Sequence, residues 1–149
     1  MAIYFDASVV VSMLTLEPTS ERVSSLLQRP DETFVISDFA SAEVSSAISR
    51  HVRMRLETLE SATKRLEALD RLKLRLQPTL TLEPDDIRVA EAMVRTFELR
   101  LRTPDAIHAA VCLRHNYQLA TLDTGLADAA RALGVACINP ADEIGEQKN

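Results

Sequence analysis

The sequence predicts an α/β fold, a single domain in which about five short parallel strands form a sheet with helices on both faces. Two observations support this prediction. Short apolar runs alternate along the chain with longer stretches of helical periodicity, and strands separated by helices pair in parallel. The chain also has 149 residues, of which 46% are hydrophobic, which is enough to bury one core without disulfides.

The strand candidates are apolar runs that end near a polar or turn-forming residue, at 3–5, 34–36, 80–82, 118–121 and 135–138. Helical periodicity occupies the segments between them, at about 7–16, 19–29, 38–52, 56–75, 85–101, 104–115 and 124–133. No repeat or low-complexity linker divides the chain. We therefore expect one domain over residues 1–140, followed by a C-terminal tail at residues 141–149.

Local signals mark several helix boundaries. Ser37 or Asp38 can cap the helix that follows the second strand. Thr103 before Pro104 is typical of an N-cap followed by proline at the first helical position. Gly134 is predicted to end the last helix, because glycine readily adopts the left-handed conformation found there.

Composition excludes several classes of protein. The formal net charge of −5 argues against a protein that coats nucleic acid through bulk charge, and three glycines are too few for a Gly-rich phosphate loop. No apolar run approaches the roughly 20 residues that span a membrane, so no membrane partner is expected. Cys112 and Cys137 lie in apolar surroundings typical of buried thiols. Since no secretory signal is visible either, we expect a cytoplasmic protein.

The charge is unevenly distributed along the chain. Residues 50–76 contain eight Lys or Arg and four Asp or Glu, so this segment is at +4 and the remainder at −9. Its leucines at 59, 66, 69, 72 and 76 follow helical spacing and predict an amphipathic helix. The basic residues form either a solvated helix face or a flank beside a substrate groove. Because only 4% of residues are aromatic, any nucleic acid would be held mainly by its backbone.

Four carboxylates are candidates for a site at the carboxyl ends of the strands, where open parallel sheets bind ligands. Asp6 follows the first strand directly, and Asp123 comes two residues after Thr121. Asp105 lies in the first turn of a helix that is apolar almost all round, and Glu43 lies among small side chains in the helix after the second strand. Each acid alone also has a structural explanation, as a helix cap, a first-turn acid or a surface residue.

Together the four acids point to a metal site. Carboxylates that converge at one edge of a sheet repel one another, and burying them without partners is costly. A hard divalent cation, Mg²⁺ or Mn²⁺, relieves this repulsion because it prefers carboxylate and water oxygens. Such a site can polarise a phosphodiester and lower the pKa of a bound water for in-line attack. No Ser-His-Asp or Cys-His arrangement is comparably placed.

In this order, the motifs resemble those of the PIN-domain nucleases and, within them, the VapC-type toxins of type II toxin–antitoxin pairs. The matching segments are IYFDASV at 3–9, SAEV at 41–44, LRTPDAIH at 101–108 and LATLD at 119–123, followed by Leu126 and the alanines at 129–130. The resemblance extends from Ile3 to about Asn139, and LRTPDAIH is its most specific segment. It implies a single PIN-like domain with a five-stranded parallel sheet.

The resemblance also implies roles for individual residues and partners. The catalytic and metal-binding acids would be Asp6, Glu43, Asp105 and Asp123, and the polar supports that orient a carboxylate or a bound water would be Ser8 and Thr121. The implied cofactor is Mg²⁺, with Mn²⁺ as an alternative. The implied partners are an RNA substrate, a second copy of the chain in a homodimer, and a small antitoxin whose C-terminal segment occupies the acidic groove.

Three neighbouring residues have open roles. Asp128 is an alternative fourth acid, although it is expected to face solvent on the last helix. His108 lies on the same helix face as Asp105, and we expect a structural histidine hydrogen-bonded in the core rather than a general base. Arg102 either holds a phosphate or an acid of the site, or is a surface arginine.

The sequence therefore predicts a metal-dependent endoribonuclease that hydrolyses RNA phosphodiester bonds as the toxin of a toxin–antitoxin pair. The alternative is a non-catalytic PIN-like module that binds RNA or protein, in which the acids hold a structural ion or a basic peptide. A phosphatase with Asp6 as nucleophile would need a second acid two residues later, where Ser8 stands. The RNA target, the antitoxin and the number of metal ions are not specified by the sequence.

Overall fold

The structure, a computed structural model, describes residues 1–15, 20–76 and 78–142. Within these residues four strands form one parallel sheet: β1 Ile3–Phe5, β2 Phe34–Val35, β3 Gln118–Ala120 and β4 Cys137–Ile138. The strand order is β2-β1-β3-β4, so β1 lies inside the sheet between β2 and β3. The predicted α/β class with a parallel sheet is confirmed.

The predicted strand at 80–82 is reduced to a single bridge. Leu80 pairs in parallel with Ser37, and Asp38 N donates to Leu80 O at 2.8 Å. Pairing ends there because Ser37 is already the cap of a helix, and the next donor, Leu82 N, bonds the side chain of Asp38 at 3.0 Å. The expectation of about five strands is thus corrected to four strands and one bridge within the described part of the chain.

Seven α-helices and one 3-10 turn connect the strands of the described residues. They are α1 Ala7–Met13, α2 Ser20–Leu26, α3 Asp38–Arg53, α4 Leu59–Arg75, α5 Pro84–Val94, α6 Thr103–His115 and α7 Thr124–Ala132, with the 3-10 turn at Phe97–Leu99. The helix predicted at 85–101 stops at Val94, and Arg100 has a left-handed backbone with φ of 54° that an α-helix does not contain. Residue 16 of the helix predicted at 7–16, residue 19 of the helix predicted at 19–29 and residues 143–149 of the predicted tail lie outside the described residues.

Two of the predicted helix boundaries are confirmed and one is wrong. Ser37 caps α3, since its Oγ accepts a hydrogen bond from Ala40 N at 3.0 Å. Gly134 follows α7 with φ of 81°, the left-handed conformation that ends helices. Thr103 is not the cap of α6, because the helix begins at Thr103 itself and the capping position is taken by Arg102 without a side-chain bond.

The sheet separates two hydrophobic clusters, because successive residues of a strand point to opposite faces. On one face Tyr4 and Leu119 pack with buried residues of α5, α6 and α7. On the other face Ile3, Phe5 and Ala120 pack with buried residues of α1, α3 and α4. Helices therefore cover both faces, as predicted.

Helix α6 carries Asp105 to the carboxyl edge of the sheet. Its chain continues into β3, so α6 ends near the amino end of that strand and begins at the opposite edge. At the far end of α6, Arg114 bonds Asp86 through two hydrogen bonds of 2.8 Å and Glu83 at 3.2 Å. Since these partners lie in the start of α5, α5 and α6 are antiparallel.

Fewer leucines of α4 are buried than the leucine periodicity predicted. Leu69 and Leu76 are buried, whereas Leu59 is 73% exposed and Leu66 is 37% exposed. No helix of the described residues is long and apolar enough to cross a membrane. Cys112 is buried and Cys137 is partly buried, and both are free thiols.

Candidate active site

Asp6 is fixed at the carboxyl end of the central strand β1. Its side chain is only 4% exposed. Oδ1 accepts hydrogen bonds from Ser8 Oγ at 2.6 Å and from Val9 N at 3.1 Å, and Oδ2 accepts one from Thr121 Oγ1 at 2.5 Å. The bond from Val9 also makes Asp6 the N-cap of α1. Both oxygens of the carboxylate are thus held in place.

The two hydroxyls that bind Asp6 also bind the chain that follows β3. Ser8 Oγ accepts a hydrogen bond from Leu122 N, and Thr121 Oγ1 accepts one from Asp123 N, both at 3.0 Å. Each hydroxyl therefore donates a hydrogen bond to one oxygen of Asp6 and accepts a hydrogen bond from a backbone N–H after β3. This reciprocal arrangement joins the ends of β1 and β3 through side chains.

Burial raises the pKa of Asp6 above its ordinary value. The hydrogen bonds from Ser8, Thr121 and Val9 act in the opposite direction, but they do not outweigh the desolvation. A carboxylate in this position is incompletely neutralised by the protein. A cation beside it would therefore be stabilised by its charge.

Glu43 meets a buried chain of hydrogen bonds at the same edge. Glu43 Oε1 lies 2.5 Å from His108 Nε2, and His108 Nδ1 lies 2.7 Å from the hydroxyl of Tyr4. The Tyr4 hydroxyl lies 2.7 Å from Ser37 Oγ. The chain thus runs from α3 through β1 and α6 back to α3, and the expected hydrogen-bonded core histidine is present.

Asp105 and Asp123 each accept a hydrogen bond from a residue three positions away in the sequence. Asp105 Oδ2 accepts a hydrogen bond from Arg102 Nε at 3.2 Å, and the side chains are 18% and 78% exposed. Arg102 therefore pairs with an acid of the candidate site while most of its side chain faces solvent. Asp123 caps α7, since Oδ1 accepts a hydrogen bond from Leu126 N at 3.1 Å. The alternative fourth acid, Asp128, is 83% exposed on α7.

The structure places one predicted acid directly against His108. Glu43 bonds the imidazole, whereas Asp105 lies three residues before His108 in the first turn of α6, and Asp6 is held separately at the end of β1. Asp123 is connected to Asp6 through its backbone bond to Thr121. Sequence reasoning missed Tyr4 and Ser37 as parts of the site, although Tyr4 precedes Asp6 and its hydroxyl is a polar group within a buried strand.

The side chains are not arranged as a closed metal cage. Within the described residues, no group of three or more His, Cys, Asp or Glu side chains is placed to hold a metal ion as it stands. The reason is visible in the contacts, because Glu43 is turned to His108, Asp105 to Arg102, and Asp123 to the backbone of α7.

The donor chemistry nevertheless fits a hard divalent cation. A carboxylate has about four lone-pair positions, and the contacts above occupy three of those on Asp6, which leaves one on Oδ2. In the described contacts Glu43 uses only Oε1 and Asp105 only Oδ2, so each has a second oxygen for a ligand. Oxygen donors of this kind suit Mg²⁺ or Mn²⁺ rather than a soft metal.

Asp6 and Asp123 follow β1 and β3, so they lie at the carboxyl edge of a parallel α/β sheet, the edge at which this class of fold binds ligands. The family model of the PIN domain matches residues 3–132. The chain therefore belongs to the PIN domain family.

Individual relatives agree with this assignment. The chain is 34% identical over 147 residues to Ribonuclease VapC46 of Mycobacterium tuberculosis, a match that covers 94% of this chain and 98% of the relative. The fold resembles the structure of FitAcB from Neisseria gonorrhoeae, with a TM-score of 0.73, 24% identity and coverage of 94% of this chain and 99% of the other. It also resembles a toxin–antitoxin complex from Klebsiella pneumoniae, with a TM-score of 0.62, 21% identity and coverage of 94% and 98%.

Proposed function

We propose that this protein is a metal-dependent endoribonuclease that acts in the cytoplasm as the toxin of a toxin–antitoxin pair. The observation that carries the proposal is Asp6, a buried carboxylate fixed by Ser8 and Thr121 with one lone-pair position left open. The 34% identity to a ribonuclease over 94% of the chain supports RNA as the substrate. The likeness to a toxin–antitoxin complex supports a small antitoxin as partner. The homodimer remains a prediction.

In this proposal the four candidate acids have different roles in metal binding. Asp6, Glu43 and Asp105 hold a divalent cation, and Asp123 completes the site or holds a second ion. The cation supplies Lewis acidity toward the phosphodiester and lowers the pKa of water for in-line attack. Ser8 and Thr121 keep the oxygens of Asp6 directed at one position, so little reorganisation is needed during the reaction.

We assign a substrate contact to Arg102 in this proposal. It is 78% exposed and hydrogen-bonded to Asp105. Because Asp105 bonds Arg102 through Oδ2 and keeps Oδ1 for a cation, the exposed guanidinium would stay beside the metal site, where its planar geometry suits an RNA phosphate. A local cation of this kind is needed because the protein has a net charge of −5 and RNA is a polyanion.

The test is cleavage of a mixed RNA pool by purified protein freed of any bound partner, with Mg²⁺, with Mn²⁺ or with EDTA. Asp105→Asn and Asp6→Asn are expected to abolish cleavage while the far-ultraviolet circular dichroism stays unchanged. Asp128→Asn is the matched control, because Asp128 is an exposed acid on α7 and its loss should leave cleavage intact.

Cuts that require metal and vanish in both site variants would support the nuclease, and their positions would identify the target. Equal cleavage by Asp105→Asn, by Asp6→Asn and by the wild type would refute the assignment of the site. An Asp128→Asn variant as inactive as Asp105→Asn would move the fourth acid from Asp123 to Asp128. Binding of RNA or antitoxin by the wild type without any metal-dependent cleavage would favour the non-catalytic module.

A further inference from the structure

We propose that His108 is a positioning residue that holds Glu43 in the orientation required for metal binding, and that the hydroxyl of Tyr4 sets the tautomer of His108 for this task. The inference rests on the proposed function, because it assumes that Glu43 binds the cation. It gives a role to the buried hydrogen-bond chain of Ser37, Tyr4, His108 and Glu43. Neither the fold nor RNA cleavage by itself explains why this chain is present.

The direction of proton donation along the chain follows from its fixed end. Ser37 Oγ accepts a hydrogen bond from Ala40 N, and its own proton is then available for the hydroxyl of Tyr4. The Tyr4 hydroxyl can in turn donate to His108 Nδ1, which leaves the proton of the imidazole on Nε2, facing Glu43. In this direction every polar hydrogen of the described chain has an acceptor.

The opposite direction leaves a buried group unsatisfied. If His108 Nδ1 donated to Tyr4 and Tyr4 donated to Ser37, the proton of the Ser37 hydroxyl would have no acceptor among the described contacts. Ser37 and Tyr4 are both fully buried, and an unmade hydrogen bond at such a site costs about 1–3 kcal/mol. The observed packing therefore selects the tautomer that donates from Nε2 to Glu43.

The groups that hold the imidazole are more rigid than the carboxylate it orients. Tyr4 lies in the central strand, and His108 is 3% exposed within a run of α6, from Ala106 to Cys112, in which every residue is buried. The ring of Phe39 packs against the imidazole with the ring centres 5.2 Å apart. Glu43, in contrast, has 29% of its side chain exposed and several rotatable bonds. A rigid donor therefore reduces the freedom that Glu43 would otherwise lose on metal binding.

The contact with His108 occupies only one of the two carboxylate oxygens of Glu43. Oε1 is taken by His108 at 2.5 Å, and Oε2 has no partner in the described contacts. Because His108 and Asp105 are three residues apart on one helix, the same element that fixes Glu43 also carries a second acid of the site. Partners of this kind typically change metal affinity by about 10- to 100-fold when they are removed.

The test uses His108→Leu, which keeps an apolar side chain in the core but cannot donate, and His108→Gln, whose amide can still donate to Glu43. Tyr4→Phe removes the hydroxyl that donates to Nδ1 and keeps the ring. His115→Leu and Tyr117→Phe are matched controls, because these two rings stack on each other at the far end of α6, with their centres 4.9 Å apart. Mn²⁺ affinity is measured by calorimetry on the full chain, with ¹⁵N spectra of the histidines and metal-dependent RNA cleavage.

We expect His108→Leu to weaken Mn²⁺ binding about 10- to 100-fold, His108→Gln to recover most of this loss, and both controls to bind as the wild type does. Cleavage by His108→Leu should approach the wild-type rate at high metal concentration. The ¹⁵N spectrum of the wild type should show His108 protonated at Nε2 and not at Nδ1, and Tyr4→Phe should reduce that preference.

Unchanged Mn²⁺ affinity in folded His108→Leu would overturn the inference while leaving the nuclease intact. If His108→Leu fails to fold, unchanged affinity and an unchanged tautomer in Tyr4→Phe would overturn it instead. A wild-type protein that binds no Mn²⁺ and cleaves no RNA would remove the proposed function and this inference together, so the two failures are distinguishable.

Discussion

Replacing Thr121 by valine removes one hydroxyl and keeps nearly the same shape, so it isolates the hydrogen bonds that join the ends of β1 and β3. Thr121 is fully buried. Its Oγ1 donates to Asp6 Oδ2 at 2.5 Å and accepts from Asp123 N at 3.0 Å. Valine can do neither, so Asp6 loses a donor and the backbone N–H of Asp123 loses its acceptor.

The two losses give the expected magnitude. A hydrogen bond to a charged group contributes about 1.5–3 kcal/mol, and an orphaned buried donor costs about 1–3 kcal/mol. Since the segment after β3 can relax toward solvent, we expect Thr121→Val to lower the free energy of unfolding by about 3 kcal/mol. For a chain of this length, that corresponds to a fall in Tm of roughly 6–12 °C.

The assay is urea unfolding of metal-free protein, with Thr96→Val as the control. Thr96 is exposed and its hydroxyl bonds only the backbone of the preceding helix α5, at Ala92 O, so its substitution should change stability by less than about 0.5 kcal/mol. We also expect Thr121→Val to weaken Mn²⁺ binding, because Asp6 Oδ2 is no longer fixed. A Thr121→Val protein as stable as Thr96→Val would refute the claim that the hydroxyl joins the two strand ends.

Two further predictions concern buried charge. Burial raises the pKa of Asp6 in the folded state, so the wild type loses stability as the pH rises from the ordinary aspartate pKa of about 3.9 through the raised value. Asparagine at this position does not ionise, so the Tm of Asp6→Asn relative to wild type, measured in EDTA, should rise over that pH range. A Tm difference that stays constant with pH would contradict this prediction. Burial also opposes ionisation of Asp86, but the hydrogen bonds and charge of Arg114 hold its pKa below the ordinary value. Arg114→Met should therefore destabilise by about 3–5 kcal/mol near neutral pH, with a smaller effect as the pH falls below about 3.9. Arg88→Met, which breaks an exposed pair with Asp85, should cost at most about 1 kcal/mol in the same unfolding assay.

The fold was predictable where local sequence and tertiary packing agree. The run from Ile3 to Phe5 predicts a buried strand, and its alternating side chains contribute to the two clusters on opposite faces. The reduction of the strand predicted at 80–82 to a single bridge was not predictable in the same way. Whether Leu80 extends the ladder depends on Ser37, which is committed to capping α3, and on Asp38, whose side chain takes the next donor.

The candidate site shows the same division. The sequence alone nominates the candidate acids, because Asp6 and Asp123 follow apolar strand segments and Asp105 follows a helix-start signal. Their hydrogen-bond partners could not, because Glu43 and His108 are 65 residues apart and Tyr4 and His108 are 104 apart. The expectation that His108 is hydrogen-bonded in the core is confirmed, but only the tertiary structure shows that its partner is the candidate acid Glu43.

The order of the site depends on the docking of α6 onto the sheet. Tyr4 can direct a hydrogen bond to His108 only when α6 packs against β1, and Thr121 reaches Asp6 only when β3 pairs with β1. Local unfolding of α6 would therefore release Glu43 and move Asp105 together. A ligand that binds these acids must stabilise the docked state by mass action, so bound metal should slow amide hydrogen exchange in α6 more than in the peripheral helix α4. The candidate site thus depends on contacts between residues far apart in the sequence, such as Tyr4 with His108 and Thr121 with Asp6. Hydrogen exchange of the α6 backbone amides therefore measures whether metal is bound.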